Sequence, residues 1–71
     1  MQETLVSIIT PTYNSSRFIA QTIASIRAQT YLNWELLITD DASTDDTVKI
    51  VQYLARQDCR IKLFQLAQNC G

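Results

Sequence analysis

Short apolar runs alternate with stretches of helical periodicity along this chain. Leu5-Val6-Ser7-Ile8-Ile9-Thr10 is nearly continuous and β-branched, a composition that suits a strand buried on both faces. Pro11 is expected to end it, because proline has no N–H to give to a ladder. Thr12-Tyr13-Asn14-Ser15-Ser16 reads as a loop, with Ser15 or Ser16 as the N-cap of a following helix. From Arg17 to Gln29 the spacing predicts that helix: Ile19, Ile23 and Ile26 fall at i, i+4 and i+7 on one face, which Phe18, Ala20 and Ala24 widen. After a connection at Thr30 to Asn33, Trp34-Glu35-Leu36-Leu37-Ile38-Thr39 is a second strand. A polar loop, Asp40 to Thr44, leads into a second helix from about Asp45 to Gln57, striped by Val48, Val51 and Ala55 with Ile50 and Leu54 beside them. Ser43 and Asp46 have capping-box spacing, and Asp45 and Asp46 sit where the helix dipole favours anions. Ile61 to Leu66 is a third strand.

The order β-α-β-α-β implies right-handed crossovers and a parallel, Rossmann-like α/β sheet. In open sheets of this class ligands bind beyond the carboxyl ends of the strands. Two loops lie there on adjacent strands, Pro11-Thr12-Tyr13-Asn14 and Asp40-Asp41-Ala42-Ser43. An aromatic ring and two carboxylates therefore converge on one crevice. An ionised carboxylate only accepts hydrogen bonds, so its partner on a base is a ring imino N–H. Uracil, thymine and guanine carry one; cytosine and adenine do not. Tyr13 offers either a face on which such a base stacks or a cover for the end of the helix. Asp40 and Asp41 can serve a ligand or make local backbone bonds in the turn. Trp34 is read as packing, and Asp45 and Asp46 as helix-start residues.

Composition narrows the class. The chain has 71 residues, enough for one small unit, with 46% hydrophobic and 18% charged residues and a net charge of −1. Neither a basic patch for nucleic acid nor a polybasic run for a membrane surface is present in it. Its apolar runs are too short to span a bilayer, and its first residues lack the pattern of a secretory signal. Cys59 and Cys70 are read as free thiols of a reducing compartment, and with no histidine the sequence forms no mixed zinc motif. A cytoplasmic chain is the expectation. The first loop lacks G-x-G-x-x-G, and no Walker-type phosphate loop occurs. The aspartate-rich stretch 40–46 follows a strand, unlike the helical metal motif of prenyl synthases. The third strand leads to Ala67-Gln68-Asn69 without the phosphoacceptor aspartate of a receiver domain.

Val6-Ser7-Ile8-Ile9-Thr10-Pro11-Thr12-Tyr13-Asn14 closely resembles the opening of family 2 glycosyltransferases. So do Ser25-Ile26-Arg27-Ala28-Gln29-Thr30-Tyr31 and the run Trp34 to Asp45, as do Arg60-Ile61-Lys62-Leu63-Phe64 and Asn69-Cys70-Gly71 as third strand and N-x-G turn. The resemblance covers the chain from Leu5 onward. It implies the N-terminal half of a GT-A nucleotide-diphospho-sugar transferase fold, residues 1–71 forming a partial nucleotide-binding domain. The implied activity is transfer of a sugar from a nucleotide-sugar donor of uridine, thymidine or guanosine type, in polysaccharide or glycoconjugate synthesis. By motif position Pro11, Thr12 and Tyr13 line base and ribose, Asp41 accepts from the base imino N–H, Asp40 supports the loop, and Asn14 holds the loop.

The family's D-D-G-S-T-D has glycine where Ala42 stands; if that glycine has positive φ, the alanine costs stability while leaving the aspartates in place. The family's D-x-D motif, with its divalent metal (Mg or Mn), and its catalytic carboxylate are expected beyond position 71, so no catalytic or metal-binding residue is assigned within the chain. The 71 residues alone are expected to be inactive, to leave an apolar sheet edge beside the first strand, and in full length to lie in the cytoplasm or at the inner face of a membrane. The alternatives are a non-catalytic nucleotide-binding module and an inactive remnant.

Overall fold

The computed structural model describes residues 4–66. The turn 69–71, the stretch 67–69 and Cys70 lie outside the described residues. Three strands and two helices follow one another as β1 (Val6–Thr12), α1 (Ile19–Ala28), β2 (Trp34–Asp40), α2 (Thr47–Gln57) and β3 (Ile61–Gln65). The strands form one parallel sheet in the order β1-β2-β3, with Ile8 beside Leu36, Thr12 beside Asp40 and Asp40 beside Gln65.

Both crossovers step in the same direction across the sheet, so crossovers of one hand place both helices on one face. The burial pattern records this. In β2, Trp34, Leu36, Ile38 and Asp40 are buried while Glu35, Leu37 and Thr39 are half-buried. The core is built from that face: Ile19 and Ile23 of α1, Val51 of α2, Trp34, Leu36 and Ile38 of β2, and Ile61 at the start of β3, with Ile8, Ile26, Ile50, Leu54, Ala55 and Leu63 packed around them. The other face carries no layer among the described residues, and Ile9 is 70% and Phe64 53% exposed there. The expectation that the first strand is buried on both faces therefore fails for β1, whose Val6 and Ile9 are exposed.

Pro11 lies inside β1 rather than ending it. Val6 N–H donates to Asn33 O and Thr12 O accepts from Asp41 N–H, so the even-numbered residues of β1 turn their backbone groups toward β2. Pro11, at an odd position, places its nitrogen on the outer edge, where no ladder bond is lost. The helices are shorter at their starts than the sequence suggests. Helix α1 begins at Ile19 after a turn in which Phe18 and Ile19 donate N–H to Ser15 O, and no side chain caps it. Phe18, Ala20 and Ala24 lie on its exposed side, so they do not widen the apolar face.

At the amino ends of the strands, Asp58 ties three elements together. Its carboxylate accepts from the backbone, Nε and Nη2 of Arg60 at 3.0, 3.0 and 2.8 Å and pairs with Arg27 Nε of α1 at 3.4 Å. The Arg60 guanidinium lies 3.9 Å from the centre of the buried Trp34 ring and donates to Leu32 O. Trp34 is a packing residue, as read from the sequence. Cys59, beside this cluster, is a free, exposed thiol.

Candidate nucleoside-binding rim

The carboxyl ends of β1 and β2 are bonded to each other through side chains. Thr12 and Asp40 are the last paired positions of the two strands, and both are buried, at 4% and 1% exposure. Thr12 Oγ1 donates to Asp40 Oδ1 at 2.6 Å. Ser43 donates its hydroxyl to the same oxygen at 2.6 Å and its N–H to Asp40 Oδ2 at 2.9 Å, folding the loop back on the residue three before it. Burial pushes the Asp40 carboxyl up, but the bonds from Ser43 and Thr12 outweigh it and hold the group below the ordinary aspartate range. Asp40 is thus an anionic peg inside the rim, occupied by its own chain.

One residue beyond the paired positions stand Tyr13 and Asp41. Asp41 N–H continues the ladder to Thr12 O at 2.9 Å, so Tyr13 and Asp41 leave the sheet from neighbouring, bonded strand ends. Tyr13 is 54% exposed and Asp41 half-buried. Pro11 is exposed on the outer edge. Of the five residues expected at a nucleoside, then, Tyr13, Asp41 and Pro11 present surface, while Thr12 and Asp40 face inward and hold each other.

Asn14 closes the outer side. It adopts a left-handed backbone with φ 49°, which asparagine tolerates well. Its N–H donates to Ser43 Oγ at 2.8 Å, and its Oδ1 accepts Thr44 N–H at 2.8 Å, Asp45 N–H at 3.3 Å and the Thr44 hydroxyl at 3.3 Å. The next two N–H groups of this loop go to the same neighbour: Ser15 to Thr47 Oγ1 at 2.8 Å and Ser16 to Asp45 Oδ2 at 3.1 Å. Asp45 also accepts the N–H and hydroxyl of Thr47 at the start of α2, which with Ser16 holds its carboxyl down at about 2 against a smaller push from burial.

These bonds revise the expected caps. The capping box of Ser43 and Asp46 does not form, because the Ser43 hydroxyl is engaged by Asp40 and Asn14, and Asp46 makes no side-chain cap. Asp45 is the helix-start residue, bridging two loops. The parts the sequence reading missed are the Ser43 and Thr47 hydroxyls. A local signal existed for the first, since an aspartate side chain readily accepts the N–H and hydroxyl of a serine three residues on. For the second a local signal existed only for its bond to Asp45 two residues back, and none for the N–H of Ser15, 32 positions away. Among the described residues no group of three or more histidine, cysteine, aspartate or glutamate side chains could hold a metal ion. These residues do not fit the divalent cation the resemblance implies.

The sequence profile of glycosyl transferase family 2 matches residues 7–71. The chain belongs to glycosyltransferase family 2. It is 48% identical over 64 residues to UDP-Glc:alpha-D-GlcNAc-diphosphoundecaprenol beta-1,3-glucosyltransferase WfgD of Escherichia coli, a match covering 89% of this chain and 24% of that protein. Among solved structures, S. aureus TarS superposes with a TM-score of 0.85 at 36% identity, covering 96% of this chain and 20% of TarS. The mannosyltransferase PcManGT from Pyrobaculum calidifontis, solved with GDP-Man and Mn2+, superposes at 0.83 with 30% identity over 93% of this chain and 20% of its own. TarS has also been solved in complex with UDP. The three-stranded parallel sheet with its helices is thus a piece of the GT-A architecture. This family member spans about a quarter or less of the length of these relatives. No helix among the described residues is long and apolar enough to cross a membrane.

Proposed function

We propose that this chain supplies the nucleoside-binding part of an enzyme that transfers a sugar from a nucleotide-diphosphate sugar to an acceptor in polysaccharide or glycoconjugate synthesis. The observation that carries the reading is the adjacency of an exposed Tyr13 and Asp41 on strand ends that are bonded together. Tyr13 gives the base a stacking face, Asp41 accepts its imino N–H, and Pro11 borders the ribose. Thr12 and Asp40 contribute by holding the rim. Two family relatives solved with UDP and with GDP-Man bind bases that carry the imino N–H, which supports the same ligand class here. The acceptor named for WfgD is a diphosphoundecaprenol-linked sugar. A comparable lipid-linked acceptor would bring the complete enzyme to the membrane surface from the cytoplasmic side.

Titration of the chain with uridine, guanosine and cytidine diphosphates, followed by chemical-shift changes, tests this. Uridine and guanosine nucleotides bind more tightly than cytidine nucleotides, and Asp41→Ala weakens uridine binding by about tenfold or more, the cost of one hydrogen bond to a charged group. Equal affinity for all three bases would refute the assignment.

A further inference from the structure

We infer that Asn14 is a positioning residue that sets base selectivity by fixing the separation of Tyr13 and Asp41. This rests on the nucleoside reading given above. The hydrogen bonds around the two residues form a closed ring. Tyr13 is flanked in sequence by Thr12 and Asn14, and Asp41 with Ala42 is flanked by Asp40 and Ser43. Thr12 is bonded to Asp40 on the inner side, and Asn14 to Ser43 on the outer side. Ser43 closes the circuit by donating to Asp40. The inner link is buried with the strand ends. The outer link is solvent-exposed and is made by the Asn14 backbone N–H; the Asn14 side chain braces it, its Oδ1 gathering the Thr44 and Asp45 N–H groups.

Asparagine meets two demands here that few residues meet together. It takes the left-handed backbone that φ 49° requires, and it offers an uncharged acceptor beside Asp45. Glycine meets the first demand and not the second. Removing the side chain therefore leaves the backbone path and the N–H bond to Ser43 in place, and takes away the bonds from Thr44 and Asp45 that brace the outer side of the ring.

Stacking on a tyrosine tolerates displacement and is nearly indifferent to which base is stacked. A hydrogen bond from a base imino group to Asp41 is sensitive to distance and angle. Loosening the ring thus weakens uridine binding while leaving cytidine binding almost unchanged. A folding defect would instead lower both in proportion, so the ratio of the two affinities isolates positioning from stability.

The test titrates uridine and cytidine into the 71-residue chain and its variants, reading dissociation constants from the shifts of folded-state resonances only. The wild-type chain should prefer uridine by about tenfold, the discrimination expected when only one of the two bases brings an imino N–H to a charged acceptor. Asn14→Gly should reduce that preference to about twofold or less, mainly through uridine, since stacking alone discriminates little. Asn14→Asp, which keeps the backbone preference and an acceptor oxygen but adds a negative charge beside Asp45, should recover the preference only in part. Ser43→Ala, which removes the acceptor for Asn14 N–H, supplies the same reading should Asn14→Gly fail to fold, and should also lower the ratio. An unchanged ratio in Asn14→Gly or Ser43→Ala overturns the inference and leaves the nucleoside reading standing. A wild-type chain without any preference for uridine overturns both.

Discussion

Ala42 holds φ 56°, a conformation in which Cβ crowds the carbonyl that follows and which glycine enters without that cost. The turn requires it: Ser43 must fold back to give Asp40 both its N–H and its hydroxyl, and the intervening residue makes the reversal. The expected penalty of alanine in a D-D-G-S-T-D loop is therefore present. Ala42→Gly should stabilise the chain by about 1 kcal/mol, the left-handed penalty less the extra freedom glycine has when unfolded. Urea unfolding would check this, and a lower midpoint in the variant would show that the turn is not strained. The doubled role of Ser43 was hidden for a related reason. Its spacing to Asp46 suggested a cap, whereas its hydroxyl is claimed by Asp40 three residues back and by Asn14 from another loop. Residue types at fixed spacing reveal what a side chain could bond locally, and a competing partner 29 positions away does not register in that spacing.

At the scale of elements, the connections matter more than the helices and strands themselves. Asp58, between α2 and β3, is buried to 9% exposure and receives Arg60 and Arg27. The hydrogen bonds from Arg60 hold its carboxyl down at about 2, against a smaller upward push from burial. Its folded value thus lies below its unfolded one. The stability it contributes is present above the unfolded value, near 4, and is lost as pH falls from there toward about 2. Asp58→Asn should cost about 1–2 kcal/mol at neutral pH, because charge-assisted bonds to two arginines are lost while the arginines stay partly wet. The same substitution should flatten the acid limb of a thermal-melt series taken from pH 5 to pH 2. An acid limb identical to that of the wild type would place the acid sensitivity elsewhere. The element boundaries show where local signals suffice. Strand β2 and the ends of α2 and β3 lie within a residue or two of their sequence-based limits, since alternation and helical spacing are local properties. Strand β1 runs two residues past the expected stop, because proline breaks a ladder only where its nitrogen faces a neighbour, and here it faces the outer edge.

On the scale of the whole chain, the sheet is covered on one side. Ile9 and Phe64 are largely exposed on the bare face, with Leu37 half-buried beside them and the edge of β1 unpaired among the described residues. An apolar surface of this kind binds hydrophobic dyes and favours self-association. Ile9→Thr combined with Phe64→Thr should reduce dye fluorescence and the weight-average mass in sedimentation, with a change in stability of less than about 1 kcal/mol because both side chains are already wet. A large loss of stability would mean that the bare face is covered in solution. The apolar edge expected from the sequence is thus part of a larger surface that includes a whole face.

The order of the elements, the parallel sheet and the placement of Tyr13 beside the acidic loop were determined by sequence alone, since hydrophobic periodicity and the rule that crossovers share one hand leave few arrangements open. The family membership rests on the same residues, read as motifs. Tertiary structure decided the rest: which face of the sheet is covered, how a strand accommodates Pro11, and which of two neighbouring aspartates turns inward. It also built the ring of hydrogen bonds that joins two loops some 28 to 32 positions apart. Those outcomes depend on which polar groups meet across the strand ends, and a polar side chain in a loop has many possible partners until the backbone brings one within reach.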